Sequence, residues 1–239
     1  MIDSIEPRAN ALLAAIPRAD WLQWGPALEP MDLRAGQVLV EAGRASDHVV
    51  FPTTAIVSLL HGTLNGGSSE IAAVGREGLV GFSVFMGGQS TCSEAVVQHA
   101  GRAFRLPAKT VQATFKAGGP VTLLLLRYTQ ALIAQIGQTA ACNRHHSVDH
   151  QLCRCLLHNL DRTPGNELHM THELIAHLLG VRREGVTEGA LKLAQAGLIR
   201  YARGHIAVLD RVGLLKRSCE CYEVIKNEYE RLVPELAAA

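Results

Sequence analysis

Residues 171–191, THELIAHLLGVRREGVTEGAL, constrain the fold more than any other stretch of the chain. Two helices that cross steeply over a turn of three or four residues need a small residue where their backbones approach, and a residue able to take positive φ in the turn. Ala176 and Gly180 stand at those two places. Ile175, Leu179 and Val181 supply inward-facing apolar positions, and Val186, six residues after the glycine, gives the second helix a β-branched anchor. Thr171 is suited to N-cap the first helix, and Glu173 places negative charge in its first turn. The spacing predicts a helix-turn-helix. Its second helix opens on Arg182, Arg183 and Glu184, at the end that enters the major groove in DNA-binding proteins of this kind. Arginine contacts guanine in bidentate fashion and glutamate accepts from cytosine N4, so these side chains have the chemistry to read bases.

After Gly197, a residue suited to end a helix, Leu198 to Tyr201 and His205 to Leu209 read as two short strands joined through Ala202, Arg203 and Gly204. That addition makes a winged helix. Arg203 and His205 near the hairpin tip are placed to meet phosphate, a contact that fixes register without reading sequence. The chain carries 23 Lys or Arg against 22 Asp or Glu, a formal net charge of +1, so any nucleic-acid affinity rests on a local patch. Between Thr171 and Arg211 that patch is modest, with six basic and four acidic side chains.

Upstream, residues 7–25 hold two short helical patterns separated by Pro17, which read as a surface cap. From Pro30 to Leu106 the character changes to short β-branched runs punctuated by glycine: Gln37 to Glu41, His48 to Pro52, Ala55 to Leu60, Ser69 to Val74, Ser93 to Gln98 and Gly101 to Leu106. Strands at this spacing predict an antiparallel barrel or jelly roll, with Gly66 and Gly67 at a hairpin tip. A brief helix from Pro107 ends near Gly118 and Gly119. A long one follows over 120–145, with Leu124, Leu125, Tyr128, Ala131, Leu132, Ile133, Ala134, Ile136 and Ala140 on more than one face. Such a helix needs two apolar neighbours, its own roll and the same helix of a second subunit. A shorter helix over 150–160 leads into the turn segment, and beyond the wing Asp210 caps a final helix expected from Arg211 to about Leu232, with frayed residues at 234–239. The fold class is α+β in three parts: an N-terminal β-roll over 1–119, a dimerisation helix and hinge over 120–146, and a winged helix-turn-helix over 147–239.

Other chemistry finds little support. No signal pattern or span of ~20 apolar residues appears, so the protein is expected to be soluble and cytoplasmic, without a membrane partner. No nucleophile elbow, phosphate loop or HExxH motif is present, and His48, His61 and His99 make no close pair, so no catalytic residue and no cofactor is assigned. Six scattered cysteines in a chain of 239 residues are expected to be reduced thiols. On continuous helices Cys153 with Cys155, and Cys219 with Cys221, would diverge and chelate poorly. The run CNRHHSVDHQLC, 142–153, would, if helical throughout, align Cys142, His146, Asp149, His150 and Cys153, with His146 and His150 at a spacing that binds transition metals. No metal ligand is assigned from it, but a metal- or redox-responsive regulator stands as an alternative.

A β-roll, a long helix and a winged helix in this order resemble the CRP/FNR superfamily of bacterial transcription regulators, across nearly the whole chain. The most specific part is GVRREGV, 180–186, similar to the opening of that family's recognition helix. The resemblance implies base-reading roles for Arg183 and Glu184, with Glu188 where the family often has arginine and Arg182 where it often has a capping serine. The DNA-facing set is then Thr171, His172, Arg182, Arg183, Glu184, Thr187, Glu188, Arg203 and His205. Implied partners are double-stranded DNA, a second copy of the chain, RNA polymerase and an unidentified small-molecule effector. The competing reading is a signalling adaptor whose winged helix does not bind DNA. In the roll, LRAGQVLVEAG, 33–43, looks like the family's early strands. The cyclic-nucleotide members carry Gly-Glu and, about nine residues on, Arg with a small hydroxyl residue. Here those places hold Gly81, Phe82, Cys92 and Ser93, and no Lys or Arg occurs from Glu77 to Gly101. A phosphodiester leaving water needs charge-assisted partners. Calorimetric titration with cyclic AMP should accordingly give no micromolar binding.

Overall fold

The computed structural model describes residues 6–64 and 66–233, and the expected fraying of 234–239 lies outside them. The architecture is α+β, and the described chain divides into two compact units, one of residues 6–59, 72–134 and 227–233, the other of 60–71 and 135–226. No helix among the described residues is long and apolar enough to cross a membrane.

The first unit opens with α1 (Ala11–Ala14) and α2 (Arg18–Trp24), followed by the strands β1 (Glu29–Leu33), β2 (Val38–Val40), β3 (His48–Pro52), β4 (Ile56–Gly62) and β5 (Ser68–Val74), of which residues 60–71 fall in the second unit. A single helical turn, α3 (Ser83–Met86), precedes β6 (Glu94–His99), β7 (Gly101–Pro107) and α4 (Ala108–Ala117). The strands form two sheets of order β1-β7-β3 and β2-β6-β4-β5, the roll that the strand spacing predicts. Their inner residues, including Phe51, Val57, Val97 and Leu106, are at most 1% exposed and make the core. The sequence reading had no strand at 29–33. There β1 pairs with β7 in antiparallel register, Pro30 opposite Phe104, at the sheet edge. An edge tolerates proline because the missing N–H would face outward.

The N-terminal helices bury an inner face, with Leu12, Leu13 and Trp24 at most 1% exposed, while Leu22 on α2 is 74% exposed, as on a surface cap. Asn10 explains their attachment. Its Oδ1 accepts from the N–H groups of Leu12 and Leu13 at 3.0 and 3.2 Å, capping α1. Its Nδ2 donates to the carbonyls of Pro52 and Gly78, both at 2.8 Å. Trp24 donates from Nε1 to Thr114 Oγ1 at 2.9 Å, tying α2 to α4.

The long helix α5 runs Pro120–His145, as the apolar pattern predicts. One face is packed: Val121, Leu125, Tyr128, Ala131 and Leu132 are at most 1% exposed. Tyr128 donates from its hydroxyl to the Leu79 carbonyl at 2.7 Å, and a Cβ on Gly78 would lie 2.7 Å from the same ring, so the close approach requires glycine. Its other face bears Leu123, Leu126, Gln130, Ile133, Gly137, Ala140 and Arg144, all exposed. Spacings of three and four alternate along that row, as they do along a coiled-coil seam.

The second unit contains α6 (Val148–Arg162), β8 (Glu167–His169), α7 (His172–Leu179), α8 (Arg183–Gln195), β9 (Ile199–Ala202), β10 (His205–Val208), α9 (Arg211–Arg217) and the start of α10 (Cys221–Leu232). One break agrees with the separate helices expected over 120–145 and 150–160, and a second does not. The 142–153 run is not one helix, because α5 ends at His145 and Ser147 caps α6, its hydroxyl accepting from the His150 N–H at 3.4 Å. That disperses the face that a continuous helix would have given Cys142, His146, Asp149, His150 and Cys153. The final helix also divides at Ser218–Glu220, after α9.

Replacing Asn10 with alanine removes a helix cap and leaves two buried carbonyls without donors, at a cost of about 1 kcal/mol for the cap and about 1–3 kcal/mol for each carbonyl. Chemical denaturation of Asn10→Ala should show a loss of roughly 3 kcal/mol or more, with the same denaturant dependence as the parent protein.

Candidate nucleic-acid interface

Each end of α7 is satisfied by its own sequence. Thr171 Oγ1 accepts from the Leu174 N–H at 3.0 Å, so the predicted N-cap forms. At the other end Gly180 takes φ +65°, its N–H donates to the His177 carbonyl and that of Val181 to the Ala176 carbonyl. This paired pattern turns the chain sharply and satisfies carbonyls left over by the helix. Ile175 and Val186 are fully buried at the crossing of α7 with α8. Arg182 stands at the N-cap of α8 with no side-chain cap bond. Sequence reasoning did not foresee how closely α8 approaches α6: a Cβ on Gly189 would lie 3.0 Å from Asp149 Oδ1 and 3.1 Å from Leu152 Cδ2.

The wing is three-stranded, in the order β8-β10-β9. β9 and β10 are joined by two residues, Arg203 at φ +48° and Gly204 at φ +84°. Positive φ at both central positions is what a tight hairpin turn requires. The strand β8, absent from the sequence reading, pairs His169 with His205 and buries Leu168. Three residues carry little periodicity, and their strand character comes from the partner. At the tip a Cβ on Gly204 would come within 3.3 Å of the Thr171 methyl, which places the wing turn beside the start of α7.

Of the nine residues expected to face DNA, Thr171, Arg182, Arg183, Glu184, Thr187, Glu188, Arg203 and His205 are exposed. His172 is not, at 8% exposure. Its ring stacks on Tyr201 with centroids 4.0 Å apart, and its Nδ1 lies 3.0 Å from Thr187 Oγ1. The Thr187 hydroxyl donates to the Arg183 carbonyl at 3.0 Å, so its one proton is used there, and His172 Nδ1 must carry the hydrogen of their mutual bond. Nε2 is then the bare nitrogen, buried without a hydrogen-bond partner. Burial, with the Arg183 charge adding to it, lowers the pKa of His172, which keeps the ring neutral. His172 thus links α7, α8 and the wing. Thr171 likewise spends its hydroxyl on its own helix.

The charges on α8 are partly paired. Glu188 meets Lys192 Nζ at 3.0 Å, and the same ammonium meets Asp149 Oδ2 at 3.2 Å, which raises its pKa. Arg183 Nε lies 3.8 Å from Glu173 Oε2, with both side chains largely in solvent, an arrangement worth little energetically. The arginines at the start of α8 therefore remain able to change partners.

Residues 150–217 match the family model described as the Crp-like helix-turn-helix domain. No curated protein matches the chain in sequence. Among solved structures, a CRP/FNR-family transcriptional regulator from Eubacterium rectale superposes with a TM-score of 0.70 at 17% identity, over 90% of this chain and 99% of that one. FixK2 from Bradyrhizobium japonicum gives 0.68 at 14% identity, over 80% and 98% of the two chains. A CRP/FNR-family regulator from Thermus thermophilus gives 0.63 at 23% identity, over 82% and 98%. The match over 150–217 identifies a Crp-like helix-turn-helix domain, and the fold that carries it is similar to that of solved CRP/FNR-family regulators.

Proposed function

We propose that the protein is a homodimeric, sequence-specific DNA-binding transcription regulator, in which α8 of each subunit enters one of two successive major grooves of a pseudo-palindromic site. The observation that carries the reading is the exposure of Arg182, Arg183 and Glu184 at the first turn of α8, within a helix-turn-helix whose wing turn lies beside the start of α7. Arg183 and Glu184 have base-reading chemistry, and Arg203 and His205 on the wing and Arg182 at the cap have phosphate-contacting chemistry. Thr187 and Glu188 lie further along α8, while His172 and Thr171 hold the reading head in shape from behind. RNA polymerase is the partner expected of such a regulator. The β-roll is the place for a signal, which the absence of a cationic phosphate cassette separates from cyclic AMP.

Dimerisation is supported by the exposed row on α5, where Leu123, Leu126 and Ile133 are 49, 45 and 62% exposed. Apolar side chains at coiled-coil spacing on an otherwise polar helix face favour a second helix of the same kind. Gly137, where an added methyl would meet nothing within 4 Å, leaves room for close backbone approach there.

Binding-site selection from random DNA should recover inverted half-sites about one helical turn apart. Arg183→Ala should lose about 1–3 kcal/mol of affinity for that site and relax its preference at one base pair of each half-site. An unchanged mobility shift would favour the adaptor reading instead. Ile133→Glu should remain folded yet run as a monomer in sedimentation, with affinity for the paired half-sites reduced by about 100-fold or more.

A further inference from the structure

Four side chains that the DNA-binding reading does not use converge in the second unit. Cys142 and His146 come from the last turn of α5 and the residue after it, Cys219 from the break between α9 and α10, and Cys221 from the first position of α10. One ligand atom from each of the four lies within 4.8 Å of all the others. Cys142 Sγ is 3.5 Å from Cys219 Sγ, and His146 Nδ1 is 3.4 Å from Cys221 Sγ. Cys142, Cys219 and Cys221 are 0, 6 and 0% exposed.

We propose that Cys142, His146, Cys219 and Cys221 bind a single four-coordinate divalent transition ion, zinc by the softness of the set. Three thiolates and one imidazole are a common structural zinc shell, with metal–sulfur bonds of about 2.3 Å and metal–nitrogen bonds of about 2.0 Å. The edges of such a tetrahedron are roughly 3.5–3.8 Å, close to the 3.5 and 3.4 Å of the two pairs. An iron–sulfur cluster spreads its four ligands over two or more irons bridged by sulfide, a wider span than the 4.8 Å that encloses this set.

The groups behind the four ligands fit the same assignment. With His146 Nδ1 turned to the sulfurs, Nε2 faces Glu220 Oε1 at 3.4 Å, the carboxylate–histidine pairing that orients an imidazole toward a metal. Gln138 donates from Nε2 to Cys221 Sγ at 3.1 Å, a bond that favours thiolate over thiol. Arg154, a buried guanidinium whose charge reaches Cys142, would offset the net negative charge of three thiolates on a divalent ion. No small cluster of apolar side chains needs three cysteines and a histidine; a chelate does. Bound metal would pin the end of α5 to the α9–α10 junction, directly before Ser147 starts the helix on which α8 packs. The inference does not depend on whether that helix reads DNA.

The test uses full-length protein purified under reductant, stripped with a chelator and titrated with cobalt(II). One cobalt per chain should bind, with the intense visible bands of tetrahedral coordination and a thiolate-to-cobalt charge-transfer band, and stoichiometric zinc should bleach both. Cys142→Ser and Cys219→Ser should lose the tetrahedral spectrum, while Cys153→Ser, altering a buried cysteine outside the set, should keep it. Glu220→Gln should weaken zinc binding by about 10–100-fold without changing the ligand spectrum. The proposal is overturned by an absent or octahedral cobalt spectrum, by binding unaffected in Cys219→Ser, by iron with acid-labile sulfide in anaerobically prepared protein, or by a Cys142–Cys219 disulfide that persists under reductant.

Discussion

A helix 26 residues long with apolar side chains on opposite faces has no stable position alone in water, and the design of the chain follows from how α5 resolves that constraint. Its inner face is closed by the roll, where Tyr128 reaches the Leu79 carbonyl over a glycine that leaves room for the ring. Its outer face keeps a row at coiled-coil spacing, which is the physical basis for proposing a second copy. Its last turn brings Cys142 toward two cysteines more than seventy positions away. Each third of the sequence therefore meets one helix.

The reading head is organised from behind. A helix that offers Arg182, Arg183 and Glu184 to solvent has to be aimed by residues that are themselves out of reach, and His172 does this by joining Thr187, Tyr201 and its own helix in one cluster. Because Thr187 gives its proton to the Arg183 carbonyl, the imidazole is confined to one tautomer. A neutral ring held this way sets where the backbone carrying Arg183 begins.

Local rules made the turn segment legible: Ala176, Gly180 and Val186 have their meaning within a dozen residues, and the structure keeps each in its expected place. The bounds of α5 were equally plain, since nothing in 120–145 breaks a helix. Elements that borrow their order from distant partners were not. Nothing around Pro30 says strand until β7 lies beside it, and β8 exists because β10 does. His172 read as a DNA contact from its position in sequence, and only the arrival of Tyr201 from the wing explains why it is covered. The four-residue convergence was half visible: Cys142 and His146 share a helical spacing, but Cys219 and Cys221 looked like diverging neighbours on one helix. The break at Ser218–Glu220 frees Cys219 from that helix, and no propensity argument forced it.

The ion pairs around Lys192 reach beyond local stability. Of the six basic side chains between Thr171 and Arg211, Lys192 is held by Asp149 and Glu188, and Arg211 by Asp161 at 2.6 Å. That leaves Arg182, Arg183, Arg200 and Arg203 to displace cations from a nucleic-acid backbone. Each phosphate neutralised releases about 0.9 of a counterion, so three or four such contacts from each head of the proposed dimer would release roughly five to seven, and affinity would fall steeply as ionic strength rises. On that reading salt would weaken binding at every site alike, and discrimination between sites would come from the edges of the bases.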